Sequence, residues 1–358
     1  MKDESALRAV SLTAGMGRGG PPLMPEVIKL STSDFEMWSR CDRRYMYRKI
    51  RGLQERAVGE NLQWGSLAHL ALQEYYRSLK SNAREDAALH NAQLVVERTK
   101  VIENKFHGNT TLTLDAERRE QLFDSIMYYY DRIACADDWD EIVAVEDPIY
   151  VQVGMEGTPM MEVRSTLDLL VRKKGQLMFV DHKTTGDVQK NIQYLAMDYQ
   201  LRSYALAVRA FYNESPVVAC YNMIARDVPP GYRHNPLYTK GGRARSAATL
   251  SSMQDPTRYL HREFLSYNDE QLRAFEQQMV RDGLVIRAEM VSGTWPRRIV
   301  KMGGMACDMC PYFAICSAEF DSGVDMPEEN AAIRMQFIKD PNVRRGHLTG
   351  LPSNPFTA

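Results

Sequence analysis

The chain has 358 residues, of which 44% are hydrophobic and 25% are charged, and its net charge is -1. This composition is that of an ordinary globular protein with a substantial core, and the charge excludes a globally basic protein, so any nucleic-acid contact must use local patches. No run of 18 apolar residues is present, which predicts that no segment spans a membrane. The first residues contain no apolar stretch typical of a signal peptide, which predicts a cytoplasmic protein.

Residues 1–26 are rich in glycine, proline and small residues and are predicted to be a disordered tail. Ser33 and Glu36, three positions apart, form the pattern of a capping box, which predicts a helix from there to about Lys49. This helix combines aromatic residues with basic residues and a cysteine, including Arg40, Arg44 and Cys41.

The rest of the chain alternates between helical and strand-like patterns. Helical spacing of apolar residues predicts helices over 62–79, 84–106, 115–135, 191–212 and 268–290. Short apolar runs predict strands over 142–153, 163–185 and 217–225. Residues 227–262 lack periodicity and are predicted to be a functional loop or disordered. The order of the elements predicts one α/β domain.

Val163–Thr185 contains two apolar runs on either side of a glycine-bearing turn, which is typical of a β-hairpin. With a two-residue loop at Lys174 and Gly175, the register places Asp168 directly opposite Asp181.

Because alternate residues of a strand share a face, Lys183 lies on the face of Asp181. Like charges opposite each other are destabilising, so we expect a cation beside Asp168 and Asp181. Two carboxylates can hold Mg²⁺ or Mn²⁺. A lysine beside the metal can orient or deprotonate the attacking water and stabilise the developing charge of the phosphorane. The alternative is a solvent-facing hairpin end with a surface ion pair.

Three other positions carry weaker signals. His69 lies in the apolar face of a predicted helix, where a hydrogen-bonded core histidine is more common than a metal ligand. Gln200 and Tyr204 lie four residues apart on one helix face, and packing of the tyrosine explains them as well as function does. Glu146 begins a strand, and a surface position is favoured for it.

Cys307, Cys310 and Cys316 form a short CxxC-x5-C cluster, which indicates a metal site in a reducing compartment. A fourth ligand is needed, and we select Cys41, because Cys135 and Cys220 fit the role of a small buried hydrophobe better. One remote cysteine with such a cluster favours a [4Fe–4S] cluster, and zinc is the alternative.

Taken together, these motifs resemble the RecB-type nucleases of the PD-(D/E)xK superfamily, specifically the iron–sulfur branch. That branch includes the AddB nuclease domain, the CRISPR-associated Cas-type exonucleases and related viral enzymes. The resemblance covers about Leu30 to Ser317. It rests on the first helix with Cys41, on Gly65 and His69, on Asp168 followed by Asp181 and Lys183, on Gln200 and Tyr204, and on Cys307, Cys310 and Cys316.

The resemblance implies a mixed central sheet flanked by helices, the restriction-endonuclease-like nuclease core, over residues 27–321, followed by a C-terminal tail over 322–358. It implies that the metal ligands are His69, Asp168, Asp181 and the backbone carbonyl of His182. Lys183 is then catalytic, and Gln200 and Tyr204 line the DNA path. The four cysteines are then the ligands of an iron–sulfur cluster that ties the first helix to the C-terminal region.

These implications predict a metal-dependent DNA exonuclease that hydrolyses single-stranded DNA or duplex ends in recombination, repair or replication. Arg40 and Arg44 are predicted to contact the DNA strand. The sequence has no GxxxxGK[ST] motif, so unwinding requires a helicase or recombination partner. Two alternatives stay open: a catalytically idle module that only binds DNA ends, and a zinc-stabilised structural protein of unrelated fold.

Overall fold

The computed structural model describes residues 12–14, 27–55, 58–104, 108–155, 158–189, 192–229, 232, 256–297, 307, 310–326 and 330–339. Most of the predicted loop at 227–262 and most of the predicted tail at 1–26 lie outside these residues. None of the described helices is long and apolar enough to cross a bilayer.

The described chain alternates between helices and strands, as predicted. The helices are α1 (Thr32–Arg40), α2 (Asp42–Tyr45), α3 (Glu60–Lys80), α4 (Glu85–Arg98), α5 (Ala116–Arg132), α6 (Tyr199–Tyr212), α7 (Asp269–Ser292), α8 (Phe313–Ser322) and α9 (Ala331–Gln336). The strands are β1 (Leu12–Ala14), β2 (Ile28–Ser31), β3 (Leu53–Glu55), β4 (Val101–Asn104), β5 (Gly108–Thr111), β6 (Glu141–Val145), β7 (Pro148–Met155), β8 (Thr158–Thr166), β9 (Leu169–Lys173), β10 (Gln176–Thr185), β11 (Val217–Ala225), β12 (Leu260–Tyr267) and β13 (Phe337–Lys339). A π-helical turn covers Met46–Ile50, and 3₁₀ turns cover Ala134–Ala136, Ile192–Met197 and Pro256–Arg258.

Two mixed sheets form the frame. The larger has the order β12-β11-β10-β9-β6, in which only β10 and β11 are parallel, and α6 provides the crossover between them. The second has the order β1-β7-β8-β2. Two small pairs, β13-β3 and β4-β5, complete the described strands. The predicted mixed α/β architecture is confirmed.

Helices cover both faces of the larger sheet. Phe179 of β10 packs against Tyr204 of α6, with ring centroids 5.9 Å apart. His182 of β10 packs instead against Tyr76 of α3 and Tyr129 of α5. Because successive side chains of a strand point to opposite faces, α6 lies on one face and α3 and α5 lie on the other. Strand β10 is therefore buried on both sides, as its long apolar run requires.

The hairpin register is confirmed over all its paired residues, from the pair next to the loop to Val180 with Leu169. Lys174 and Gly175 have φ values of 51° and 78°, the left-handed conformation that a tight two-residue hairpin loop needs. The predicted first strand is nevertheless broken. Strand β8 ends at Thr166 in the other sheet, and β9 begins at Leu169, so Asp168 lies in the bend between them.

The predicted helix from Ser33 to Lys49 is wrong at its start and in its middle. Ser31 is the N-cap, because its side chain accepts from the Asp34 N–H while the Asp34 carboxylate accepts from the Ser31 N–H. The helix then breaks at Cys41, whose backbone is extended with φ -169° and ψ 121°. Cys41 therefore lies at a junction between two helices instead of on the surface of one.

Residues near both ends of the sequence form short strands. Leu12–Ala14 form β1 and pair in parallel with the edge of β7. Strand β1 supplies partners to the edge backbone groups of β7, which would otherwise stay unpaired. In the C-terminal segment, Phe337–Lys339 pair with Leu53–Glu55, and Phe337 is buried.

Two helix boundaries also differ from the predictions. The helix predicted over 84–106 ends at Arg98, because Val101–Asn104 pair with β5. The helix predicted to begin at residue 191 begins at Tyr199, where the Asp198 side chain caps it by accepting from the Leu201 N–H.

Candidate active site

Three parts of the chain bring the predicted site residues together around the second half of β10. Helix α3 carries His69, the bend before β9 carries Asp168, and β10 itself carries Asp181 and Lys183. Gly65 explains how α3 reaches the strand, since a Cβ at this position would lie 2.9 Å from Oγ1 of Thr184.

The carboxylate of Asp168 contacts two other residues. Its Oδ2 atom lies 3.4 Å from Nδ1 of His69 and accepts a hydrogen bond of 2.8 Å from the backbone N–H of His182. Asp168 and Asp181 are 8% and 1% exposed, respectively. A solvent-facing hairpin end is therefore excluded, because both carboxylates are buried.

Glu146 belongs to the site, although the sequence favours a surface position for it. One donor atom each from His69, Glu146 and Asp168 lie within 4.8 Å of one another. The backbone of Glu146 is in the left-handed region, with φ 54°, and its N–H donates to the Asp168 carbonyl at 3.1 Å. The position follows from this turn after β6, which the residue pattern did not predict.

Lys183 is held between a carboxylate and an amide. Its Nζ atom lies 3.1–3.2 Å from the two carboxylate oxygens of Asp181 and donates to Oε1 of Gln200 at 2.7 Å. Nε2 of Gln200 in turn donates to the hydroxyl of Tyr204 at 2.8 Å. The two residues predicted to line a DNA path therefore also fix the position of the lysine.

The charges of the site separate the pKa values of its groups. Burial opposes ionisation of Asp168, but the charges of His69 and Lys183 and a hydrogen bond from His69 hold its pKa well below the usual range. Burial lowers the pKa of His69, and the neighbouring Asp168 charge more than reverses this, so the net shift is upward. The two shifts have one cause, the attraction between the His69 imidazole and the Asp168 carboxylate.

Asp181 has the opposite shift. Burial raises its pKa to about 7, with Lys183 opposing and the Asp168 charge adding to the rise. Burial lowers the pKa of Lys183, but the charges of Asp181 and Asp168 raise it well above the usual value, so the lysine stays protonated. The two acids differ because burial dominates at Asp181, whereas the charge and hydrogen bond of His69 outweigh burial at Asp168.

The donor set fits a divalent cation. Oδ2 of Asp181 is buried and accepts no hydrogen bond, although the Lys183 ammonium lies nearby. Carboxylate oxygens with one imidazole are suitable ligands for Mg²⁺ or Mn²⁺. A cation here would also offset the burial of the Asp181 charge and its repulsion by Asp168, which together raise the pKa of Asp181.

His182 turns its side chain away from the acids into a buried polar region. Its ring stacks on Tyr76 with centroids 5.6 Å apart and planes 13° apart. Burial lowers its pKa to about 3, so the imidazole is neutral. Only the backbone of this residue is available to the site.

The two arginines predicted to contact DNA have other neighbours. Arg40 forms an ion pair with Glu36, one turn earlier on α1. Arg44 lies close enough to Cys310, Tyr312 and Glu55 for its charge to oppose the burial that raises their pKa values. Arg44 is therefore a neighbour of the cysteine region.

The structure brings cysteines from both ends of the chain together. Cys41, Cys307, Cys310 and Cys316 form no disulfide with one another, and Cys310 donates its N–H to the Cys307 carbonyl at 3.1 Å. Burial raises the pKa of the Cys310 thiol, and Cys41 and Cys307 raise it further by their charge, which indicates that these residues are close.

Glu319 ties the two segments that carry these cysteines. Its fully buried side chain accepts from the side chains of Arg43 and Tyr47, from Arg51 at 2.9 Å and from the Met326 N–H at 2.9 Å. Helices α2 and α8 are thus joined by protein contacts alone, beside the cysteines.

Comparison with protein families identifies the fold family of the chain. A family model described as the PD-(D/E)XK nuclease superfamily matches residues 29–317, which include His69, Glu146, Asp168, Asp181, Lys183 and the four cysteines Cys41, Cys307, Cys310 and Cys316. No curated protein matches the chain.

Solved structures give distant similarities. The crystal structure of SSO0001 is 12% identical over 83% of this chain and 89% of its own, with a TM-score of 0.33. A candidate exonuclease from Eubacterium rectale is 14% identical over 78% of this chain and 92% of its own, with a TM-score of 0.39. A phage-related exonuclease from Haemophilus somnus 129PT is 9% identical over 51% of this chain and 90% of its own, with a TM-score of 0.23. All three TM-scores lie below 0.5, so no conclusion is drawn from them.

Proposed function

Because the chain belongs to the PD-(D/E)XK nuclease superfamily, we propose that it is a metal-dependent DNA exonuclease that acts on single-stranded DNA or duplex ends. The observation that carries the proposal is the burial of Asp168 and Asp181 beside His69 and a protonated Lys183. The biological context that we propose is recombination, repair or replication, with DNA as the partner and a helicase or recombination protein for unwinding.

We assign the metal ligands to His69, Asp168, Asp181 and the backbone carbonyl of His182, with Mg²⁺ or Mn²⁺ as the cation. The N–H and C=O of one strand residue point to the same side, and the His182 N–H donates to Asp168. The carbonyl orientation therefore supports this assignment. Glu146 is a further ligand in this proposal, because its carboxylate lies with His69 and Asp168.

A bound cation supplies a water of lowered pKa and polarises the phosphodiester. The residues of the chain position the reactants and stabilise charge. The carboxylates of Asp181 and Asp168 raise the pKa of Lys183, which supports a role for its ammonium as a hydrogen-bond donor to the phosphate oxygens. Gln200 keeps the ammonium in place, and Tyr204 orients the amide of Gln200.

The contacts with DNA beyond the scissile phosphate are proposals from the sequence. Gln200 and Tyr204 lie beside Lys183, which supports a place for them along the strand path. Arg40 is exposed on α1, and its ion pair with Glu36 is of the weak surface kind that a phosphate can replace.

We propose that Cys41, Cys307, Cys310 and Cys316 bind a [4Fe–4S] cluster. The charges of Cys41 and Cys307 act on the Cys310 thiol, which supports a site shared by cysteines from distant parts of the chain. The CxxC-x5-C spacing with one remote cysteine favours the cluster over zinc.

The activity test is digestion of end-labelled linear and circular DNA, both single- and double-stranded, with Mg²⁺ or Mn²⁺. Metal-dependent release of nucleotides from linear DNA and no cleavage of circles is the expected result. Cleavage of circles would contradict the exonuclease assignment. Binding of DNA ends without hydrolysis in either metal would support the catalytically idle module instead.

The cluster is tested on protein purified without oxygen. A brown protein with absorbance near 400 nm and iron in the preparation is expected, and Cys310→Ser should lose both. A colourless protein loaded with zinc would contradict the iron–sulfur assignment.

A further inference from the structure

Behind the acidic site lies a buried polar network that the proposed reaction does not use. We infer that Arg262 and Asn222 are positioning residues for the metal site, which act by fixing the His182 side chain and thereby the His182 peptide. The inference rests on the proposed function for the role of that peptide as a metal ligand. The hydrogen bonds and ring contacts of the network do not depend on that role.

Asn222 is the centre of the network. It is fully buried on β11 and is the strand partner of His182 on β10. Its Nδ2 atom lies 2.9 Å from the Tyr129 hydroxyl and 3.3 Å from Nδ1 of His182. Its Oδ1 atom accepts from Nε of Arg262 at 2.6 Å.

The donors and acceptors allow one arrangement of the protons. A guanidinium only donates, so the amide oxygen of Asn222 must face Arg262, and its NH₂ group must face His182. Nδ1 of His182 is then the acceptor, and the ring proton is on Nε2. Arg262 therefore selects the tautomer of His182 through the orientation of one amide.

The ring of His182 is also held sterically. Tyr76 stacks on it, and Tyr129 meets it edge-on with centroids 5.8 Å apart. The Tyr129 hydroxyl accepts from Asn222 and, at 3.2 Å, from Arg262, so its own proton is directed to the Tyr76 hydroxyl at 2.8 Å. Asp137 forms a two-point ion pair with Arg262, which holds the guanidinium in place.

Stability of the fold does not by itself require the buried ion pair between Arg262 and Asp137. Replacement of such a pair by apolar residues of similar volume is often neutral or stabilising. The backbone of His182, however, donates to Asp168 at 2.8 Å and directs its carbonyl to the same side. A fixed side chain therefore fixes two backbone groups of the acidic site, as partners behind metal ligands do in other proteins.

The test compares Arg262→Gln with Arg209→Gln in the full-length protein. The two arginine side chains are similarly buried, 15% and 13% exposed, and each contacts carboxylates, but Arg209 contacts Asp269 and Glu276 away from the site. Mn²⁺ binding is measured by calorimetry without DNA, and kcat and KM are measured on linear DNA. Asn222→Asp is the second variant, since it keeps an oxygen for Arg262 and removes the donor to His182.

We expect Arg262→Gln and Asn222→Asp to weaken Mn²⁺ binding about tenfold and to lower kcat with little change in KM, whereas Arg209→Gln leaves Mn²⁺ binding as in the wild type. If the folded variants bind Mn²⁺ as the wild type does, the inference is overturned, but the proposed function is unaffected. A wild-type protein that binds no Mn²⁺ would overturn the proposed function and the inference with it.

The tautomer of His182 gives a second test, which is read on the wild-type protein. ¹⁵N spectra of histidine-labelled wild-type protein, assigned by the signal lost in His182→Gln, should show protonated Nε2 and unprotonated Nδ1 in His182. Protonated Nδ1 would overturn the inference.

Discussion

The backbone N–H of His182 donates to the Asp168 carboxylate at 2.8 Å, just beyond the last paired residues of the β9–β10 hairpin. A side-chain oxygen thus takes the place of the backbone carbonyl that a continuing strand would supply. This contact fixes the orientation of one acid of the site and satisfies a buried N–H at the same time.

Lys183→Ala should lower kcat about 100-fold or more, because it removes a charged donor from the developing phosphorane. Mn²⁺ binding should be retained or strengthened, since a positive charge beside Asp181 is removed. Single-turnover cleavage and calorimetry measure the two effects. Lys174→Ala at the exposed hairpin loop is the control, and wild-type cleavage by Lys183→Ala would contradict the catalytic assignment.

Gln200→Ala should lower kcat about tenfold, the value of one hydrogen bond of about 1.4 kcal/mol, because Lys183 loses the acceptor that positions it. DNA affinity, measured in Ca²⁺ to prevent cleavage, should change little, and Tyr204→Phe should have a smaller effect on kcat. Gln189→Ala, an exposed position, is the control. Weaker DNA binding at unchanged kcat would instead assign Gln200 to the strand path alone.

Glu146→Gln should raise the Kd for Mn²⁺ about tenfold, since a negatively charged ligand near His69 and Asp168 becomes neutral. Calorimetry on the protein without DNA measures this directly. Glu141→Gln, at the exposed start of β6, the strand that precedes Glu146, should bind Mn²⁺ as the wild type does. Equal affinities in all three proteins would remove Glu146 from the ligand set.

Glu319→Gln should lower the free energy of unfolding by about 3 kcal/mol, because it leaves the buried cations Arg43 and Arg51 without their charged partner. Chemical denaturation at pH 7 measures the loss. Glu97→Gln at an exposed helix position is the matched control and should change stability little.

The same residue predicts a pH dependence. Burial raises the pKa of Glu319, but hydrogen bonds from Tyr47 and Arg43 lower it more, so its folded pKa lies below the usual 4.5. A lowered folded pKa stabilises the protein above pH 4.5 and loses that contribution as the pH falls through the folded value. The stability difference between wild type and Glu319→Gln should therefore shrink as the pH is lowered from about 5 to 3. A constant difference would contradict this assignment.

The residue pattern predicted those features of the fold that depend on neighbouring residues in the sequence. The loop at Lys174 and Gly175 fixed the hairpin register, and β11 was predicted with its observed ends because its apolar run is buried throughout. The first helix was predicted with the wrong N-cap, because serines stand at both 31 and 33. Strand β2 ends at Ser31, and the helix begins directly after it, so Ser31 is the N-cap. The break at Cys41 has no signal in the residue pattern.

The sequence by itself determined which residues are candidates for the site: Asp168, Asp181 and Lys183 through the spacing of one hairpin, and His69 through the family resemblance. Only the tertiary structure decided which further groups join them. Glu146 enters the site through a left-handed turn, and Arg262 reaches His182 through Asn222 across two strands. Such contacts depend on the packing of elements distant in the chain, which residue spacing does not encode.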